Sequence, residues 1–166
     1  YDVLDGLRTI QAGGQTVASS TYDSIEWAKP PARFEGGLGD FSGMIATGAA
    51  IDYLSKIDLN DVYEHEVRLN QIMTDGIKDL PGIDIIGPLD ARKRGGICSI
   101  LMQDLPVHDI AILLDEAAGV MVRSGQHCVH SWFNSRGHLN GSLRASAYLY
   151  NTEEEARLFV ETFTEA

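Results

Sequence analysis

The chain is 166 residues long, with 44% apolar and 8% aromatic residues, enough to bury one core and to exclude an intrinsically disordered chain. Its 13 Lys and Arg against 24 Asp and Glu leave a formal charge of −11, which argues against nucleic acid or an anionic membrane as the main partner. No run approaches the ~18 apolar residues of a membrane span, no signal peptide stands out, and two cysteines are too few for a disulfide framework, so a reducing cytoplasm is the expected setting.

The first 35 residues read as an arm that buries little. Residues 1–8 are short and mixed, and Gln11-Ala12-Gly13-Gly14 signals a turn. Residues 16–22 are rich in Thr, Val and Ser and predict an extended strand. Pro30-Pro31 predicts an extended path, and Gly36, Gly37 and Gly39 form a hinge. From Asp40, a plausible N-cap, Phe41, Met44, Ile45, Gly48, Ala49, Tyr53 and Leu54 recur at helical spacing; Phe41, Met44 and Ile45 are read most simply as core. A second helix is predicted over 60–80, ended by Leu80-Pro81-Gly82.

A short strand follows at 83–86, then a charged turn at 90–94. Residues 96–103 alternate as a strand, with Ile97, Ser99 and Leu101 on one face and Cys98, Ile100 and Met102 on the other. A third helix spans 107–118 and stops at Gly119. A strand at 120–122 leads into Arg123-Ser124-Gly125-Gln126-His127-Cys128. A last strand is predicted over 142–150, and Asn151 or Thr152 caps a final helix over 153–164, whose first-turn acids match its dipole. Helices and strands alternate irregularly, and the hairpin at 83–103 breaks any doubly wound pattern. The expected architecture is therefore α+β: a mainly antiparallel sheet with helices on one face.

The stretch from Arg123 to His130 concentrates reactive groups. A strand ends, a glycine-containing loop begins, and Cys128 sits beside His127 with His130 and Arg123 close in sequence. A reactive cysteine acts as its thiolate, which neighbouring cations favour, so Arg123 and the histidines are candidates for that field. The alternatives are a small apolar residue packed at a loop edge, or a mixed metal site from His127, Cys128, His130 and His138, although their spacing departs from common zinc patterns. Arg144 lies within an otherwise apolar strand. It is read equally as half of a salt bridge or as a bidentate fork for a substrate carboxylate. Cys98, in phase with Ile100 and Met102, reads as buried and inert.

Three blocks in this order resemble one family. Arg123-Ser124-Gly125-Gln126-His127-Cys128 resembles the R-[ST]-G-x-H-C loop of cysteine desulfurases and selenocysteine lyases of the SufS-like branch, class V fold-type I enzymes that use pyridoxal phosphate. Arg144-Ala145-Ser146 with Tyr150-Asn151-Thr152 resembles R-A-S-x-x-x-Y-N-T. Arg33-Phe34-Glu35-Gly36-Gly37 and Gly48-Ala49-Ala50-Ile51-Asp52-Tyr53-Leu54 resemble R-F-E-A-G-T and G-A-A-x-D-Y-L. Leu38 stands where the family has a threonine that reaches cofactor phosphate, Gln126 replaces a histidine, and Val129-His130-Ser131-Trp132 replaces a small residue and proline.

The resemblance implies a homodimeric cysteine desulfurase that moves sulfur from L-cysteine onto Cys128 as a persulfide and releases L-alanine. The sulfur then passes to an acceptor protein for iron–sulfur cluster assembly or a related pathway. Cys128 is then catalytic, Arg144 binds the substrate carboxylate, and Arg123 and His127 support the thiol; Gly37 and Leu38 fall near the phosphate-contact position. The family's Schiff-base lysine follows Ser-x-His, and none of Lys29, Lys56, Lys78 or Lys93 does. With its start at Tyr1 and not Met, the chain is expected to be a fragment. Residues 1–35 would end the large cofactor-binding domain, 36–166 would form the small C-terminal domain, and the fragment alone would be inactive. Other expectations are a selenocysteine lyase, a cysteine sulfinate desulfinase or another class V enzyme, or a non-enzymatic zinc or interaction module.

Overall fold

The computed structural model describes residues 2–103 and 105–166, so the first residue of the expected arm lies outside it. The chain forms two compact units, Tyr1–Lys56 and Ile57–Ala166. The division falls after Lys56 and not after Glu35, and groups the helix that begins at Phe41 with the preceding residues.

In the first unit, α1 (Asp2–Gly6) is a short helix where no element was expected. Strands β1 (Val17–Ser20) and β2 (Ile25–Trp27) pair as an antiparallel hairpin. Thr16 is fully buried and closes the loop before it, with its hydroxyl donating to the Gly13 carbonyl at 2.8 Å. Pro30-Pro31 does not lead into an extended path. Pro31 has helical backbone angles and caps a 3-10 turn over Ala32–Phe34, where its fixed φ suits a first turn that needs no proline N–H. The Arg33 guanidinium ties the unit together by donating to the carbonyls of Leu4 (2.6 Å), Asp5 (2.9 Å) and Leu7 (3.2 Å).

Helix α2 (Phe41–Leu54) starts at Asp40 as expected, with the Asp40 carboxylate accepting from the Gly43 N–H at 2.9 Å. Its apolar residues, however, are not core. Phe41, Met44 and Ile45 are 61%, 63% and 76% exposed, and no residue of α2 is buried. The physical reason is its composition: the helix is apolar all round and so has no single stripe to turn inward, the pattern of a helix that a larger body surrounds.

The second unit carries the core. Helices α3 (Leu59–Ile77), α4 (Val107–Ala118) and α6 (Glu153–Glu165) pack against a four-stranded antiparallel sheet of order β3-β4-β6-β5. The strands are β3 (Ile83–Ile85), β4 (Ile97–Met102), β5 (Arg123–Gly125) and β6 (Ser142–Ser146). Register places Cys98 opposite Ala145 and Ile100 opposite Leu143, so these four share the face that the helices bury. They join Leu69, Met73 and Ile77 of α3, Ile110 and Leu114 of α4, and Ala156, Phe159 and Phe163 of α6 in one cluster. The expected alternation in β4 and the α+β architecture are both present.

Three boundaries differ from expectation. The strand predicted at 120–122 forms three residues later, because Gly119 closes α4 in the left-handed conformation and Val120 and Val122 pack on the core before pairing begins at Arg123. β6 stops at Ser146: the Ala147 N–H donates to the Gly96 carbonyl, but the Tyr148 N–H goes to the Asn151 side chain, which turns the chain toward α6. α3 ends at Ile77, short of Leu80. The 3-10 turn Ala91–Lys93 matches the expected charged turn.

The start of α6 is secured by a reciprocal cap. The Thr152 hydroxyl accepts from the Glu155 N–H at 3.2 Å, and the Glu155 carboxylate accepts from the Thr152 N–H at 2.9 Å. These bonds, with one from Asn151, hold the Glu155 carboxyl below its usual range. Thr152→Ala is expected to lower stability by about 1 kcal/mol in urea unfolding, with no change in slope; an unchanged midpoint would show the cap to be dispensable.

Candidate active site

The face of the sheet opposite the helices carries Ser99 and Arg144, directly paired across β4 and β6, with Arg123 opposite Arg144 on β5. After β5 the chain turns tightly: the Val129 N–H donates to the Gln126 carbonyl at 2.8 Å. Cys128 and His127 at this turn both have left-handed backbone angles, φ +63° and +48°. For residues with a Cβ this conformation is strained, and consecutive examples persist only where surroundings impose them. Here the surroundings are visible. The Gln126 amide donates to Asn134 Oδ1 and to the Leu139 carbonyl, both at 3.0 Å, which anchors the loop to the helix that follows. That helix, α5 (His130–Ser135), was not expected from the sequence.

His127 forms the second anchor. Its Nε2 lies 3.1 Å from both the carbonyl and the hydroxyl of Ser142. A carbonyl only accepts, so Nε2 carries the proton and Nδ1 is a bare acceptor, buried and without a partner. Burial pushes the imidazole pKa down against the raising effect of the Ser142 bond, and Arg144 and Arg123 push it down further. A neutral His127 therefore contributes no cationic field to the thiol. That part of the sequence expectation is corrected, and the positive charge at the loop rests with the arginines.

Cys128 is exposed, whereas Cys98 is fully buried in β4. Burial pushes the Cys98 thiol pKa up, against the opposing influence of Arg94. Alkylation by iodoacetamide is therefore expected at Cys128 roughly 100-fold faster than at Cys98, which reacts only through opening of the core; peptide mapping that finds equal rates would remove the distinction.

Arg144 is half-buried. Its Nε is buried without a hydrogen-bond partner, and no salt bridge among the described residues involves Arg144 or Arg123. Of the two readings left open for Arg144, the structure supplies no acid, so the guanidinium is available to a carboxylate. It opens into a pocket of about 340 Å³. Ile86, Ile97, Val129, Trp132 and Phe133 give the pocket apolar walls, and Ser99, His127, Ser142 and Arg144 give it polar groups. A larger surface groove of about 690 Å³ between α3 and α6 contains no cysteine or histidine.

Gly37 and Leu38 belong to the other compact unit. Gly37 has φ +99° and its N–H donates to the Gly14 carbonyl at 2.9 Å, while Leu38 is 84% exposed. Sequence reasoning missed Ser142, Gly141 and the anchoring role of Gln126; the pairing of a glycine and serine ahead of a strand was the signal present for the first two. Among the described residues, no three His, Cys, Asp or Glu side chains gather as metal ligands. All four lysines are exposed, and Lys78 and Lys93 pair with Asp75 (2.7 Å) and Asp90 (3.8 Å). A lysine that forms a Schiff base is normally desolvated, so the residues present do not fit the covalent anchor of pyridoxal phosphate. They fit the other side of such a site, the substrate carboxylate and the reacting sulfur.

An antiparallel α+β unit with an exposed thiol on a strained loop beside an unpaired arginine defines a class, and the sequence match agrees: the chain belongs to the aminotransferase class-V family, whose profile covers residues 1–159. It is 34% identical over 169 residues to a "probable cysteine desulfurase" of Methanothermobacter thermautotrophicus, a match over 99% of this chain and 41% of that protein. It is 33% identical to a cysteine desulfurase of Haloferax volcanii, over 99% of this chain and 38% of the relative. The apo structure of a cysteine desulfurase from Thermococcus onnurineus superposes with a TM-score of 0.87 at 32% identity, over 99% of this chain and 40% of that one. The chain thus spans about two-fifths of the length of these relatives.

Proposed function

We propose that the 166 residues are the C-terminal part of a pyridoxal-phosphate-dependent cysteine desulfurase, with 1–35 completing a large domain and Cys128 as the residue that receives sulfur. The observation that carries the reading is Cys128 itself: an exposed thiol, held in left-handed backbone by two anchored neighbours, beside an arginine with no acid. In the intact protein the cofactor, anchored outside these residues, supplies an electron sink for the substrate carbon.

This chain's residues do the rest. Arg144 forks the carboxylate of L-cysteine and fixes its orientation. The Cys128 thiolate attacks the substrate sulfur; the S–S bond forms, the substrate C–S bond breaks, and its electron pair stays with carbon, which leaves as L-alanine after protonation. Sulfur is oxidised to the sulfane level and carbon is reduced, so no external oxidant enters. His127, neutral and latched to Ser142, holds the loop that presents the thiol, and Arg123 adds positive charge at its base. The outer sulfur then passes to an acceptor protein. The intact protein is proposed to be a cytoplasmic homodimer. The 166-residue chain alone, without a suitable lysine, is proposed to be inactive.

The reading is tested in a protein extended to the relatives' length. Incubation with L-cysteine is expected to add one sulfur atom to the Cys128 peptide, seen by mass spectrometry and removed by dithiothreitol. Alanine release with no such adduct would assign the protein to a class V activity that does not use this cysteine.

A further inference from the structure

The acidic residues of this chain are unevenly placed. All 24 lie outside residues 117–152, a stretch that contains Arg123, Arg136, Arg144, His127, His130 and His138 and the exposed Cys128. The fold gathers that stretch around the thiol. Arg123 and Arg144 stand directly opposite each other on β5 and β6, a like-charge cross-strand pair that is unfavourable unless an anion offsets it. The Arg136 guanidinium lies 4.4 Å from the centroid of the Trp132 ring, and Trp132 lines the same pocket as His127 and Arg144. No salt bridge among the described residues neutralises any of the three arginines. A chain of formal charge −11 thus displays its one exposed thiol on a cationic lobe.

We infer that this lobe, built from Arg123, Arg136 and Arg144 around Cys128, is a docking surface for a sulfur acceptor protein whose own thiol is flanked by carboxylates. The inference rests on the proposed role of Cys128 as sulfur carrier and adds the chemistry of the partner. Substrate carboxylate engages Arg144 in the pocket, whereas Arg123 and Arg136 are exposed and face what approaches from solvent. A carboxylate rim is attracted to the lobe at short range although the chain as a whole repels it, because at physiological salt only charges within about 8 Å act strongly. In the transfer, the acceptor thiolate attacks the outer sulfur of the Cys128 persulfide. The S–S bond to Cys128 breaks, Cys128 leaves as thiolate, and the acceptor carries the persulfide, with no net redox change.

The test reads Cys128 in the 166-residue chain by disulfide exchange with two pentapeptides. One has cysteine between two pairs of glutamates, the other between two pairs of lysines, each as its 2-thiopyridyl mixed disulfide. Attack by Cys128 releases thiopyridone, followed by absorbance. The acidic peptide is expected to react roughly tenfold faster at about 20 mM salt, and the advantage should fall toward unity at about 0.5 M. Arg123→Gln with Arg136→Gln should abolish the preference, and the corresponding double Lys variant should retain it. Cys128→Ser should give no release. Equal rates, or a faster basic peptide as the net charge of −11 alone would produce, overturns the inference, as does a preference that survives the double Gln variant. Those results would leave the persulfide on Cys128 standing. Failure to find that adduct in the longer protein would instead remove the proposed function, whatever the peptide ratio.

Discussion

In the protein extended to the relatives' length, Cys128→Ser is expected to reduce alanine release from L-cysteine by at least about 10³-fold, roughly 4 kcal/mol of transition-state stabilisation. The argument is chemical. The attacking group must be a thiolate at neutral pH, and a serine hydroxyl at the same place stays protonated and forms no persulfide. The loss should be catalytic and not structural, because Cys128 is exposed at a loop tip and takes no part in the buried cluster. The unfolding midpoint should therefore stay within about 0.5 kcal/mol of the parent. The matched change Cys98→Ser should do the opposite. It places a hydroxyl among Met73, Ile100 and Leu143 in the core and lowers stability while it leaves the reactive thiol untouched. Selenocysteine or cysteine sulfinate, whose leaving groups depart without a thiolate acceptor, remain substrates for a class V enzyme that lacks the loop thiol. Retained turnover of L-cysteine by Cys128→Ser would defeat the desulfurase reading directly.

Much of this arrangement is legible in the sequence, for identifiable reasons. The alternation of β4 separates Cys98 from Ser99 because strand side chains change face at every residue, and the structure buries the first and leaves the second beside Arg144. Asp40, Gly119 and Thr152 mark helix ends through local backbone chemistry, and all three act where expected. What the sequence hides is set by distant contacts. The strand after α4 starts at Arg123 because β6 is there to pair with it, and no local preference separates Val122 from Arg123 as a first partner. The neutral state of His127 depends on the Ser142 carbonyl, fifteen residues away, and on burial. Phe41, Met44 and Ile45 follow a helical period, which fixes the helix but not whether this chain covers it. The family motif predicts that Cys128 matters. It does not show that two consecutive left-handed residues present it, or that Gln126 and His127 hold those residues in place.

Gly141→Ala is expected to be the most damaging single-methyl change near the site, and comparison with Gly137→Ala isolates the cause. Both glycines have φ +76°, a conformation that costs an alanine about 1–2 kcal/mol. At Gly137 nothing lies within 4 Å of an added Cβ, so that backbone cost is the whole effect. At Gly141 the added Cβ would overlap the Gly125 carbonyl and stand 2.7 Å from Gln126 N. These are backbone atoms of the strand end and of the Cys128 loop, and they cannot rotate away. Relief requires β5 to separate from the start of β6 or the loop to shift, which breaks the Gly125–Ser142 register and the His127–Ser142 bond. Overpacking of this kind adds roughly 1–3 kcal/mol. Gly141→Ala should then cost about 2–5 kcal/mol in urea unfolding and Gly137→Ala about 1–2 kcal/mol. Tyrosine and tryptophan near-ultraviolet signals should report the loop shift in the first variant only, since Trp132 packs on the displaced segment. Equal losses in the two variants would mean that the close approach of Gly141 to the Cys128 loop does not hold the thiol in place.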